Sequence, residues 1–244
     1  LTGAGGVGWQ GCRSLHRTLN QTELRLSEVR DSLLGEVRIT APVGMAGQPL
    51  ALALSPLLQA HPGLCIQIIA DDEKRDLIAG RIDVALRVGS LPDSTLVARK
   101  LAQRVPYVCA SPAYTARHGI PNSLSELARH TCLVGNGDEW HFTLDDKPHS
   151  VRVRGLLHCN SGHALLDAAL KGIGIIQLPD YYVSDHLVRG DLIELLPELR
   201  APEEGIWALY PHNRHLSPKV RLLVDYLAER LSDPAQPALV RPIG

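Results

Sequence analysis

Seven positions near the start of the chain, Cys12, Leu15, Leu19, Thr22, Leu26, Val29 and Leu33, recur with alternating spacings of three and four. That is the narrow stripe of a heptad seam. Arg13, Arg17, Glu23, Arg25, Glu28 and Arg30 fall off the stripe. The pattern predicts one long amphipathic helix from about Val7 to Leu34, stopped by Gly35 and opened near Thr2 as N-cap. A seam this narrow calls for a partner helix rather than its own domain, the other reading, so these seven residues are the predicted dimerisation positions.

Beyond Gly35 the period changes. Short β-type runs alternate with helical ones: "EVRITA", a turn and helix ending at His61-Pro62-Gly63, "LCIQIIAD", a short helix in "EKRDLIAGR", and "IDVALRVG". Two βαβ units of this kind predict a parallel sheet. "STLVARKLA" and "VPYVCAS" follow as strands, then short helices in "PAYTARHG" and "SLSELARH". A hairpin should turn near Asp145-Asp146 and lead to a strand reaching residue 160. A helix capped by Ser161, the strand "IIQLP", the helix "YYVSDHLVRG", the strands "LIELLP" and "GIWALYP", and a last helix carrying Pro218 complete the order. The Pro-rich segment 233–244 reads as a mobile tail.

The expected architecture is therefore α/β: two Rossmann-like subdomains joined by two crossover strands and preceded by a long linker helix. Subdomain I is expected over 35–110 and 211–232, and subdomain II over 111–210. The crossovers are placed at Ala110–Ser111 and near Leu209–Pro211. Two connections favour hinge motion, with a ligand in the cleft at the carboxyl ends of the strands.

Composition narrows the function. With a formal net charge of −1, no global field draws this chain to nucleic acid or anionic membrane. Phe142 is the one phenylalanine, so base-stacking platforms are lacking. The five cysteines, Cys12, Cys65, Cys109, Cys132 and Cys159, never form C-x-x-C, which favours buried reduced thiols over disulfides or zinc. No apolar run approaches the roughly 20 residues that span a bilayer. No signal peptide is recognisable, so a cytoplasmic location is expected.

Gly3, Gly5 and Gly8 fit G-x-G-x-x-G, yet only Leu1 and Thr2 precede them. A dinucleotide loop needs a strand there, so no nucleotide cofactor is expected. "CNSGH" places Cys, Ser and His almost adjacent, where a nucleophile and base rarely face each other, so a cap with effector donors is favoured over catalysis. His212 and His215 lack a third ligand, and no metal is expected. Asp71-Asp72-Glu73 reads as a solvated helix start; a divalent-cation site would need spaced oxygen ligands.

Six segments, taken in order, resemble LysR-type transcriptional regulators. They are "LTGAG", "GEVRIT", "DLIAGRIDVALRVGSLPDSTLVARKL", "CASPAYTARHGIP", "ALLDAALKGIGIIQLPDYYV" and "YPHNRHLSPKVRLLVDYLAERL". The first resembles the end of a winged helix-turn-helix and the start of a linker helix; no helix-turn-helix lies in this sequence. "GGVGWQG" is richer in glycine than that family's usual helix start. The resemblance implies a fold like type II periplasmic binding proteins and a small-molecule effector in the cleft. It also implies assembly as homodimer or homotetramer, and DNA contact only through an N-terminal domain.

Candidate effector contacts follow. Ala41, Pro42, Val43, Gly44 and Met45 leave the first strand and enter a helix, either as an anion-binding loop or as a simple turn. Gly44 falls where family members often carry a Ser or Thr. Arg87, beside Val88, either meets an anionic effector or pairs with Asp83 or another acid. Asn136 follows a short strand, Pro179 sits at the cleft rim, and Asn160 and Ser161 combine a helix cap with effector donors. Two other functions compete: a solute-binding protein of a transporter, and an enzyme, for which no acid–base constellation emerges.

Overall fold

The computed structural model describes residues 33–73, 77–91, 93–212 and 216–232. The predicted helix over 7–34, and six of its seven seam positions, therefore lie outside the described residues, as does the tail. Leu33 is half-buried in a bend, and Leu34 is exposed ahead of the first strand.

Strand β1 (Gly35–Ala41) alternates as a central strand must. Val37, Ile39 and Ala41 are fully buried on one face, while Arg38 and Thr40 point to the other. It pairs in parallel with β2 (Leu64–Ala70) on one side and β3 (Val84–Val88) on the other. Strands β4 (Leu96–Arg104) and β10 (Glu204–Pro211) complete a five-stranded sheet in the order β2-β1-β3-β10-β4. Helices α1 (Val43–Ala46), α2 (Gln48–Ala60) and α6 (Pro218–Ser232) cover its apolar face through Met45, Leu50, Leu54, Leu57, Leu223, Val224 and Leu227. Predicted βαβ order and observed parallel pairing agree here. The described part of "EKRDLIAGR", residues 77–81, forms turns.

The second half is built on β5 (Pro106–Ala110), which pairs antiparallel with β8 (Ile176–Pro179) and β9 (Ile193–Glu194). Helix α3 (Pro112–His118) and the 3₁₀ turn Leu124–Arg129 lie on one face. Helices α4 (Gly162–Leu170) and α5 (Asp180–Arg189) lie on the other. The hairpin β6 (Glu139–Leu144) and β7 (Lys147–Arg152) turns at Asp145 and Asp146, both with positive φ. Two-residue hairpin loops need that conformation, and Asp tolerates it better than most residues. The strand expected to reach residue 160 shrinks to a single bridge between Val134 and His158.

The crossovers differ from the sequence expectation. β5 belongs to the second sheet and β10 to the first. The chain therefore passes over at Val105 and returns through 200–203, rather than at Ala110–Ser111 and Leu209–Pro211. Apolar alternation marks both segments as strands but is blind to which sheet supplies the pairing partners. The two crossings are tied together, because Arg104 Nε donates to Glu204 Oε2 at 2.7 Å with both side chains about a quarter exposed.

Candidate functional site

The turn leaving β1 is held from three sides. Met45 and Ala46 N–H both donate to Pro42 O, at 2.8 and 2.9 Å, which closes the single turn of α1. Val43 N–H donates to Asp72 Oδ1 at 3.0 Å, so a carboxylate of this chain already sits at the helix start. Across the cleft, the Tyr182 hydroxyl donates to Gly44 O at 2.6 Å. Ala41 and Met45 are buried and belong to the core, while Pro42, Val43 and Gly44 are half-buried.

Tyr182 explains two glycines. A Cβ on Gly44 would lie 3.1 Å from its hydroxyl, and a Cβ on Gly162 would lie 2.5 Å from its ring. The ring also meets His163 edge-on, with centroids 4.9 Å apart. Burial, followed by neighbouring Tyr181, pushes the phenol upward, so it stays protonated and remains a donor. Tyr181 in turn accepts from Arg104 Nη1 at 3.4 Å. A continuous series of contacts thus runs from the β1 turn through two tyrosines to the pinned crossovers.

The other predicted contacts are scattered around this centre. Ser161 caps α4 by accepting from Ala164 N–H at 3.4 Å, and Asn160 beside it is exposed. Asn136 is exposed in the loop before β6, and Pro179 ends β8 opposite Pro106. Arg87 Nη2 donates to Glu73 O at 3.1 Å; burial lowers its pKa, while Asp71 and Asp72 raise it. Asp83 instead accepts from Arg38 N–H, and Val88 is half-buried at the end of β3. The acidic run 71–73 thus serves as cap and counter-charge. Among the described residues, no group of three or more His, Cys, Asp or Glu side chains could hold a metal ion.

A second feature lies at the hinge. A cavity of about 510 Å³ opens between the loop after β3, the β6–β7 hairpin and the returning crossover. Sequence reading missed it because its walls are 50 to 120 residues apart. The "GIW" in β10 was a visible signal, since Gly205 leaves room for the Trp207 indole to lie over it.

The LysR substrate binding domain family matches residues 30–232. This chain belongs to that family. The PtxR transcriptional regulator of Pseudomonas aeruginosa is 35% identical over 225 residues, covering 88% of this chain and 71% of that protein. Full-length AphB, a Vibrio cholerae virulence activator, superposes with a TM-score of 0.82 at 27% identity, covering 94% of this chain and 80% of that one. The CrgA regulatory domain of Neisseria meningitidis gives 0.73 at 29% identity, covering 82% and 100%. The chain is thus the regulatory region of a LysR-type transcriptional regulator, with the family's periplasmic-binding-protein-like fold. Its relatives are regulators of transcription rather than enzymes.

In this LysR-family region the tyrosine at 182 closes the cleft from within. Tyr182→Phe keeps the ring and deletes the bond to Gly44. The expected outcome is a loss of about 1 kcal/mol in unfolding free energy, with a larger radius of gyration by X-ray scattering. Unchanged scattering would mean that the bond does not restrain the two halves.

Proposed function

We propose that this chain is the effector-sensing and self-associating part of its regulator. It takes a small molecule between its subdomains and passes the change in closure to DNA-binding domains. The observation that carries this reading is the bond between Tyr182 and Gly44, a direct contact across a cleft that the described residues link through two crossovers. A molecule entering the cleft meets the two halves differently when they are open and closed, and such differential binding is what shifts a two-state population. The proposed contacts are the 41–45 turn, Arg87, Val88, Asn136, Asn160, Ser161 and Pro179. An anion at the turn would compete with the Asp72 carboxylate for the Val43 N–H. Self-association is assigned to the heptad seam from Cys12 to Leu33, and the cytoplasm is the proposed location. Among the described residues no helix is long and apolar enough to cross a membrane.

The test is thermal unfolding and X-ray scattering of this chain with a panel of small organic acids, amines and neutral compounds. A true effector at about a hundred times its Kd should stabilise by about 2.7 kcal/mol, or roughly 5–10 °C, and should alter the radius of gyration. The proposal fails if no compound of any charge does both.

A further inference from the structure

The cavity beside the hinge is a pre-built pocket, and its chemistry selects a class of ligand. Its volume, about 510 Å³, suits one small molecule. Gly89 and Ser90 of subdomain I form one wall. His141, Phe142, Pro148, His149 and Ser150 of the β6–β7 hairpin form another, and Ala201–Gly205 of the returning crossover close it with Trp207. An occupant would therefore touch both subdomains and the hinge itself.

The aromatic wall is fixed in advance. Trp207 Nε1 donates to Gly89 O at 3.0 Å, and Gly89 N–H donates to Gly205 O at 2.9 Å. The indole lies over Gly205, where any Cβ would come within 2.5 Å of Nε1. His141 is likewise held, with Nδ1 3.0 Å from Ser150 Oγ and its backbone bonded to the Gln177 amide. Neither wall needs to reorganise on binding, which removes part of the usual entropic cost.

The charge balance sets the sign. Two carboxylates line the pocket, Glu203 and Glu204, and no Lys or Arg does. Glu204 is neutralised by Arg104. Glu203 is exposed and, among the described residues, has no ion-pair partner. One uncompensated negative charge thus lies beside an apolar lining of Pro148, Ala201, Pro202 and the indole. An anion meets a like charge there that Ser and His donors do not neutralise, whereas a cation gains the carboxylate and the indole π system together.

We infer that this hinge pocket binds a small organic cation, a protonated amine carried on a flat apolar body. The inference rests on the sensing function proposed above and adds a second ligand site beside the hinge, apart from the contacts proposed around the 41–45 turn.

The probes are 2-phenylethylammonium, its anionic counterpart phenylacetate, and neutral 2-phenylethanol. Each is titrated into the full chain by calorimetry and by following the Trp207 indole N–H resonance, assigned through Trp207→Phe. The ammonium ion should bind at least tenfold more tightly than phenylacetate and should shift the Trp207 resonance. Glu203→Gln should weaken it at least tenfold, and Glu203→Lys should reverse the preference toward phenylacetate. Glu203 is exposed, so both variants should fold; Glu139→Gln, on the β6–β7 hairpin but outside the pocket, should bind as the parent does. The inference is overturned if the ammonium ion does not bind, if phenylacetate binds as well, if Trp207 does not respond, or if Glu203→Gln changes nothing. A stabilising anion found in the thermal panel, with no ammonium binding here, would overturn this assignment and leave the sensing function standing.

Discussion

Phe142→Ala is expected to lower the unfolding free energy by about 3–5 kcal/mol, in the range for truncating a buried aromatic. Phe142 is fully buried in β6, among Tyr114, Leu127, Trp140 and Val153. The hairpin carrying it has few other anchors. On the same strand His141 and Glu139 are exposed, so Trp140 and Phe142 carry the burial of β6, with Val151 of β7 packed beside them and two Gln177 amide bonds to the His141 backbone. Alanine would leave a void that flanking backbone, held by ladder bonds to β7, cannot collapse to fill. Phe142→Leu should recover most of the loss. Urea unfolding of the three proteins decides it: a loss below about 1 kcal/mol for alanine, well under the range for a packed site, would mean the hairpin is not packed as described.

A second large effect is alkaline destabilisation. Burial pushes the Cys132 thiol up to about 12 from an ordinary 9.0. Cys109, Tyr181 and Tyr182 are pushed upward too, in each case chiefly by burial. The unfolded chain releases these protons first, so between pH 9 and 12 it binds fewer protons than the native state. Stability is then fully present below pH 9 and falls as pH rises toward 12. That rise on Cys132 corresponds to about 4 kcal/mol by pH 12. Urea midpoints measured from pH 8 to 11 should fall steadily, and Cys132→Ala should flatten that fall. A midpoint independent of pH would refute the burial of these protons. The same burial keeps the two thiols as unreactive thiols rather than thiolates.

Much of the fold was legible because strands and helices leave periodic traces. The alternation in "EVRIT", the cap at Ser161 and the turn residues Asp145-Asp146 each act over a few neighbours, and each appears where local chemistry puts it. The five cysteines read as buried thiols; of the four described, Cys109 and Cys132 are buried and Cys159 half-buried, but Cys65 in β2 is exposed. The candidate site was legible only in outline. Its turn and its helix cap were visible, but the partners that occupy them were not. Asp72 at the α1 start lies 29 residues from Val43, and Tyr182 lies 138 from Gly44.

By itself, then, the sequence determined the order of the elements, the βαβ character of the first half and the family, because periodicity, turn chemistry and ordered motifs are properties of contiguous residues. The tertiary structure decided which sheet owns β5 and β10, that Tyr182 spans the cleft, and that Gly89, His141, Glu203 and Trp207 enclose one pocket. Those outcomes depend on pairing between segments far apart in the chain. A side chain's spacing along its own strand says which face it takes, but only the assembled sheets say what it faces.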